Sequence, residues 1–223
     1  FTINPAENFH IADVLVDGSS VGPVNTYTFI NVTADDHSIA ATFALGSLKL
    51  IKGWNLLSVY YDPDNNSVDN ILMDIKGNIS SVWKWVNNKW AVYLSKEADL
   101  GAAYASAKGF SLLEEINAGE GFWVNSDIDQ TLTFPGTQTS NNDLFLSSGW
   151  NLIGLKSNDP KSINNLITGN EDKIVSIWKW ESDNWAVYLP GKVNGGAAYA
   201  ESKGFTLISD INPGEGFWVN CIE

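Results

Sequence analysis

Hydrophobic and polar positions alternate with a period of two through most of this chain, and only short stretches carry the wider period of a helix. Phe9 to Val16 alternates and is rich in β-branched residues, Asp17-Gly18 follows as a turn, and Tyr27–Val32 and Ser38–Phe43 read as two further strands. Beyond residue 45 one succession of elements occurs twice. It begins with a short strand (Leu48–Leu50, then Leu144-Phe145-Leu146), followed by a Gly-Trp-Asn-Leu strand. Next comes a short helix, Val68–Met73 or Ile163–Ile167, with Asn66, Ser67 and Ser162 as capping residues. A hairpin turns at Asn87-Asn88 or at Ser182-Asp183-Asn184. A second helix, Asp99–Ala107 or Gly195–Ser202, is closed by Gly109 or Gly204. The last common strand starts at Gly121 or Gly216, and the first copy adds Thr131–Phe134, ended by Pro135-Gly136.

The tryptophans show that this is a tandem duplication. Trp54, Trp83, Trp85, Trp90 and Trp123 are matched by Trp150, Trp178, Trp180, Trp185 and Trp218. The offset is 96 at the first pair (150 − 54) and 95 at the others (178 − 83), so a one-residue gap aligns them. Whole phrases recur as well, among them Trp83-Lys84-Trp85 and Trp178-Lys179-Trp180, and Trp90–Leu94 and Trp185–Leu189. The expected organisation is residues 1–45, 46–138 and 142–223, in an α+β, predominantly β fold.

The first unit carries Val14-Leu15-Val16-Asp17-Gly18, Tyr27-Thr28-Phe29-Ile30-Asn31-Val32 and Ala34-Asp35-Asp36-His37-Ser38-Ile39-Ala40-Ala41-Thr42-Phe43. These about 40 residues resemble the C-terminal half of the divergent bacterial form of the internalin B-repeat. The resemblance implies a small β-grasp-like module of bacterial surface proteins, here without its Gly-rich leading hairpin. The repeats carry Gly149–Leu155, Trp178-Lys179-Trp180, Trp185-Ala186-Val187-Tyr188 and Pro213-Gly214-Glu215-Gly216-Phe217-Trp218-Val219. In these they resemble accessory domains of bacterial extracellular proteins, a resemblance that implies no catalytic activity.

Charge and cysteine content narrow the partners. Charged residues make up 17% of the chain, below the usual quarter, so much of the polar surface is Asn, Ser, Thr and Gly. The net charge of -13 argues against nucleic acid, whose phosphates need clustered Lys and Arg, and against anionic lipid. Cys221, the single cysteine, excludes an internal disulfide and a Cys-based zinc site. No apolar stretch approaches a membrane span. Phe1–Pro5 reads as folded-domain sequence rather than a leader, and the chain is expected to be part of something longer.

Three groups of residues are candidate sites. Trp83 and Trp85, like Trp178 and Trp180, share one face of a strand, with Lys84 or Lys179 on the other. As an exposed shelf these indoles would stack on sugars or on partner aromatics. As core they would supply apolar area that a repeat of about 80 residues needs, and this reading is favoured. Trp90, Val92 and Leu94 carry a core pattern, with Ala91 and Tyr93 on the other face. Glu120 and Glu215, each between glycines, are candidate ligand-binding carboxylates. The plainer reading has them accept backbone N–H bonds or pair with Lys108 and Lys203. Asp62, Asp64, Asn66 and Asp69 present oxygens at alternating spacing, as calcium loops do, but lack the central Gly and the terminal Glu, and the twin loop has lost the pattern. His10 and His37 have no partners placed by the sequence, and no phosphate loop or acid–base pair is apparent.

The expected function is a non-enzymatic structural or interaction module, extracellular or on a bacterial cell surface, with other protein subunits or surface proteins as partners. Carbohydrate binding through the paired tryptophans is the alternative, and a reaction built from distant residues stands third. The missing leading hairpin of the first unit and the missing last strand of the second repeat suggest open sheet edges. These are either covered by loops or water, the favoured reading, or completed by strand addition between subunits, with Phe1–Asn4 as donor.

Overall fold

The computed structural model describes residues 1–5, 10–30, 32, 36–138, 144, 146–181 and 183–222. Strand makes up 46% and helix 15%, so the chain is a β-rich α+β protein. The N-terminal unit is an antiparallel sheet of β1 (His10–Val16), β2 (Ser19–Gly22) and β3 (Ile39–Ala44), ordered β2-β1-β3. A register shift between Ile11 and Asp13 breaks the period of two, which is why Ile11 and Val14 are both buried with Val16. Ile3, Val24, Tyr27 and Phe29 pack on these residues. Asp17 and Gly18 form the turn with positive φ, and the Asp17 carboxylate accepts from Ser38 N at 2.7 Å. That bond, and after it the side-chain hydrogen bond with His37, hold its carboxyl below the usual range. The strand expected at Tyr27–Val32 is not formed over Tyr27–Ile30, and Asn31 lies outside the described residues. Tyr27 and Phe29 still face the core, because alternation reports which side chains are buried, not whether the backbone is paired.

The first repeat contains β4 (Gly46–Leu50), β5 (Gly53–Ser58), β6 (Tyr61–Pro63), α1 (Val68–Ile71), β7 (Ile79–Val86), β8 (Lys89–Tyr93), α2 (Ala102–Lys108), β9 (Ser111–Leu112), β10 (Gly121–Ser126), β11 (Gln130–Phe134) and β12 (Gly136–Gln138). Its main sheet is ordered β5-β10-β7-β8-β9, and the pairs β11-β4 and β12-β6 flank it. Asn87 and Asn88 both take positive φ, as the tight β7–β8 hairpin requires. Ser67 caps α1 by accepting from Asn70 N. Helix α2 begins three residues later than expected, after Gly101 at φ 93, and ends at Gly109 as expected. The strand β11 ends at Phe134, before Pro135-Gly136, as expected. Gly136 opens β12, where a Cβ would lie 2.6 Å from Asp62 O, so the pairing with β6 needs glycine.

The second repeat contains β13 (Gly149–Gly154), β14 (Lys161–Ser162), α3 (Ile163–Ile167), β15 (Ile174–Glu181), β16 (Asn184–Tyr188), α4 (Ala197–Lys203), β17 (Thr206–Leu207), β18 (Asp210–Ile211) and β19 (Gly216–Cys221). Its sheet, β13-β19-β15-β16-β17, repeats the order of the first position by position. Leu144 and Leu146 pack on its core without forming the expected strand, and Phe145 and Ser182 lie outside the described residues.

Each main sheet has two covered faces, and the expected assignment is reversed on the hairpin. Val82, Lys84, Ala91 and Tyr93 face the domain core with Phe122 and Val124, whereas none of the ten tryptophans is buried. They lie on the opposite face with Val92 and Leu56. The inward position in Trp-Lys-Trp is the lysine. Alternation identifies the two faces but cannot rank them, and when both are apolar the more hydrophobic one need not be the domain core.

A small difference between the repeats sets a pH response. Tyr93 OH donates to Asp69 at 2.7 Å, and Tyr188 OH donates to Asn164 Oδ1 at 2.7 Å at the equivalent place. The Tyr93 bond, then the one from Lys76, hold the Asp69 carboxyl below the usual carboxylate range. A depressed folded pKa gives stability that is present above the unfolded value and lost as pH falls through the folded one. Asp69→Asn should therefore fold, since repeat two already uses Asn164. It should also flatten part of the acid limb of stability below about pH 4. Urea midpoints at pH 5 and pH 2.5 test this; an unchanged difference between the two would contradict it.

Candidate functional site

The two repeats meet through their tryptophan faces with reciprocal contacts. Ser58 N donates to Gly214 O and Gly154 N to Gly119 O, each at 2.9 Å, and 58 and 119 are the equivalents of 154 and 214. Backbone bridges Leu57–Glu215 and Glu120–Ile153 are likewise a related pair. Trp123 touches Trp180 and Trp185 with ring centroids 6.0 Å apart, and Trp218 touches Trp85 and Trp90 at 6.1 and 5.8 Å. This is the self-complementary pattern of a two-fold dimer, built within one chain.

The Gly-Glu-Gly segments make this contact possible. A Cβ on Gly121 would lie 2.8 Å from Ile153 O, and one on Gly216 would lie 2.4 Å from Leu57 O, so only glycine lets the second backbone approach. Glu120 and Glu215 are not free to hold a ligand. Glu120 Oε2 accepts from Lys84 Nζ at 2.7 Å and from Asn117 N at 2.7 Å. Glu215 Oε2 accepts from Lys179 Nζ at 2.8 Å and from Asn212 N at 2.8 Å. The cations are the buried Lys84 and Lys179, not Lys108 and Lys203. The turn is thus clamped from beneath the sheet by the residue between the two tryptophans of each Trp-Lys-Trp strand.

Ring contacts divide the tryptophans differently from the sequence. Trp54 and Trp123 of the first repeat join Trp178, Trp180 and Trp185 of the second. Trp150 and Trp218 join Trp83, Trp85 and Trp90. Nearly all these pairs are edge-to-face, the arrangement that ring quadrupoles favour. Between the networks lies an open cleft of about 500 Å³. Trp85, Trp90, Trp150 and Trp218 line it from one network, and Trp178, Trp185 and Phe205 from the other. Trp150 is 44% exposed. The indole donors at the cleft are partly spent inside the protein: Trp85 Nε1 donates to Trp150 O at 3.2 Å, and Trp178 Nε1 to Ser176 Oγ at 3.0 Å.

Of the tryptophans singled out in the sequence, Trp85 and Trp178 line the cleft. Trp83 meets Phe110 and Tyr104 edge-to-face, and Trp180 sits against Trp123 and Trp185. Trp90, Trp150, Trp185, Trp218 and Phe205 were not expected there. A signal existed for Trp218: it stands between Phe217 and Val219 in a strand, and consecutive large apolar residues give the strand two apolar faces, so a second layer must cover one of them. Which layer, only the packing of the repeats shows.

The proposed calcium oxygens do not converge. Asp62 lies in β6, and Asn66 Nδ2 donates to Asn117 Oδ1. Asp69 faces Lys76 Nζ at 3.1 Å as well as Tyr93. Among the described residues no three acidic, His or Cys groups are placed to share a metal ion. His37 does have a partner that the sequence did not place, Asp17 Oδ2 at 2.8 Å. The proposed donor strand is engaged too. The Phe1 ammonium donates to Tyr27 O, Tyr27 N to Phe1 O and Ile3 N to Asn25 O, at 2.8 to 3.0 Å.

The open place in repeat two is nonetheless defined. A groove of about 510 Å³ is lined by Leu144, Leu146, Lys173, Cys221 and Ile222 among others. Their equivalents Leu48, Leu50, Asn78 and Ser126 meet β11 in repeat one by strand pairing and through Gln130. No helix among the described residues is long and apolar enough to cross a membrane. Comparison of the chain with protein-family models, curated proteins and solved structures found no match.

Proposed function

We propose that this chain is a non-enzymatic interaction module of a bacterial extracellular or surface protein, and that the cleft between the repeats is its binding site. One observation carries the reading: seven aromatic rings from both repeats converge on one solvent-accessible space of about 500 Å³. That is the size and apolar character of a small-molecule site, whereas an ordinary soluble surface scatters its large apolar side chains. Such a space takes a group with a flat or apolar face. Sugar stacking remains the alternative, because the indoles are reached by solvent. It is the less favoured one, because no carboxylate, amide or hydroxyl side chain lines the cleft to receive ring hydroxyls.

The test uses a neutral aromatic probe, N-phenyl-1-naphthylamine, and an array of immobilised polysaccharides. Saturable quenching of tryptophan fluorescence by the probe is expected, weakened about tenfold in Trp150→Ala. Trp150 serves because its side chain is exposed and the bond from Trp85 goes to its backbone carbonyl. Absence of saturable binding for every ligand tried would end the cleft reading. Polysaccharide binding lost in the same variant would establish the alternative.

Assembly by strand addition is a second reading, favoured by the groove at Leu144 and Leu146. With Phe1–Ile3 engaged, the donor must be another segment carrying apolar residues two apart, as Leu132 and Phe134 do in β11. A peptide with the sequence of Asp129–Pro135 should raise the melting temperature in a saturable way, and the same peptide with Asp at the Leu132 and Phe134 positions should not. Equal effects of both peptides would dismiss it.

A further inference from the structure

We propose that the aromatic cleft receives a quaternary ammonium group, a trimethylammonium cation such as that of choline. This rests on the cleft being a binding site and names the chemistry it would take. Three observations lead to it. The lining rings present π faces and edges and no charged side chain. The N–H groups of Trp85 and Trp178 are already given to Trp150 O and Ser176 Oγ. The chain carries a formal charge of -13.

These observations exclude ligand classes in turn. An anion meets the negative ring faces and the field of an acidic protein. A primary ammonium or a guanidinium brings three to five N–H donors, and no side-chain acceptor lines the cleft to replace the water they would lose. A sugar brings the same difficulty with its hydroxyls. A quaternary ammonium has no N–H to satisfy, and its charge is spread over methyl groups that pack on indole faces. Tryptophan is the ring that attracts such cations most strongly. The overall negative charge raises the local concentration of the cation, and it disfavours a trimethylammonium carrying an attached phosphate. The ligand is therefore the free cation.

Titration of the whole chain by calorimetry or tryptophan fluorescence tests this with choline, its neutral isostere 3,3-dimethyl-1-butanol, phosphocholine and N-phenyl-1-naphthylamine. Choline is expected to bind at least about tenfold more tightly than the neutral isostere and than phosphocholine. The advantage over the isostere should persist in moderate salt, since a cation–ring contact at close range is screened little. Trp150→Ala, and separately Phe205→Ala, should each weaken choline severalfold, with the circular dichroism spectrum confirming the fold. Equal binding of choline and the isostere would overturn the cation proposal and leave the cleft reading intact. Binding of the naphthylamine alone would have the same consequence. Failure of all four probes would remove both. Phosphocholine binding as tightly as choline would overturn the choice of the free cation.

Discussion

Trp123→Ala is expected to destabilise the chain by about 3 kcal/mol and to split its unfolding into two transitions. Loss of a well-packed tryptophan costs roughly 3–5 kcal/mol, and the lower figure applies because Trp123 is half-buried. Its ring meets Trp54 within its own repeat and Trp180 and Trp185 across the interface. Edge-to-face pairs add about 0.5–1.5 kcal/mol each beyond area. Trp123 does not line the cleft, so a change in stability can be separated from a change in binding. Trp123→Phe should recover part of the loss, because it keeps an aromatic ring in the stack. Urea denaturation followed by fluorescence and far-ultraviolet circular dichroism is the measurement. A single transition shifted by less than about 1 kcal/mol would mean that the repeats do not depend on this stack.

The second large effect is expected at Lys179. Its side chain is only 4% exposed, and its ammonium donates to Glu215 Oε2 at 2.8 Å and to Asp210 O at 3.1 Å. It also contacts Glu181. Removing one member of a buried pair leaves the other charge and its acceptors unsatisfied, which costs roughly 3–5 kcal/mol. Because Glu215 is partly exposed, Lys179→Ala should lie near the lower end, about 3 kcal/mol. Lys179→Met fills the same space and should lose less. The consequence extends beyond repeat two, since Gly214 and Glu215 form the turn that accepts Ser58 N and bridges to Leu57. Hydrogen exchange at the Ser58 amide should therefore quicken in Lys179→Ala. An unchanged Ser58 rate with an unchanged urea midpoint would contradict the clamp.

Both experiments act on one arrangement, a two-fold interface built from a duplication. Each repeat covers its sheet with the other repeat's sheet, and glycine at 121 and 216 permits the backbone contact. The lysine beneath each sheet holds the turn that makes it. The cleft is what remains between two aromatic networks that each contain rings from both repeats.

Much of this was legible in the residues. The period-two segments gave most strands, and Ser67, Ser162, Asn87-Asn88, Gly109 and Gly204 marked caps and turns where the backbone needs them. The phrase repeats implied one succession of elements occurring twice, and the two main sheets share one strand order. The oxygens at Asp62–Asp69 are engaged separately, Asn66 with Asn117 and Asp69 with Lys76 and Tyr93, because spacing along a chain says nothing about where those partners will stand. Likewise Tyr27–Ile30 alternates without a strand partner, since burial and pairing are separate requirements.

The sequence alone determined the local geometry and the duplication, because these depend on neighbours within a few residues and on identity between the copies. The tertiary structure alone decided which face of each sheet is the core. Both faces are apolar, and a lysine can lie inside when Glu120 or Glu215 and a carbonyl meet its ammonium. It also decided that Trp54 and Trp123 belong with Trp178, Trp180 and Trp185. That grouping, and the cleft with it, exists only once two copies of the same surface are brought together, and no spacing within either copy records it.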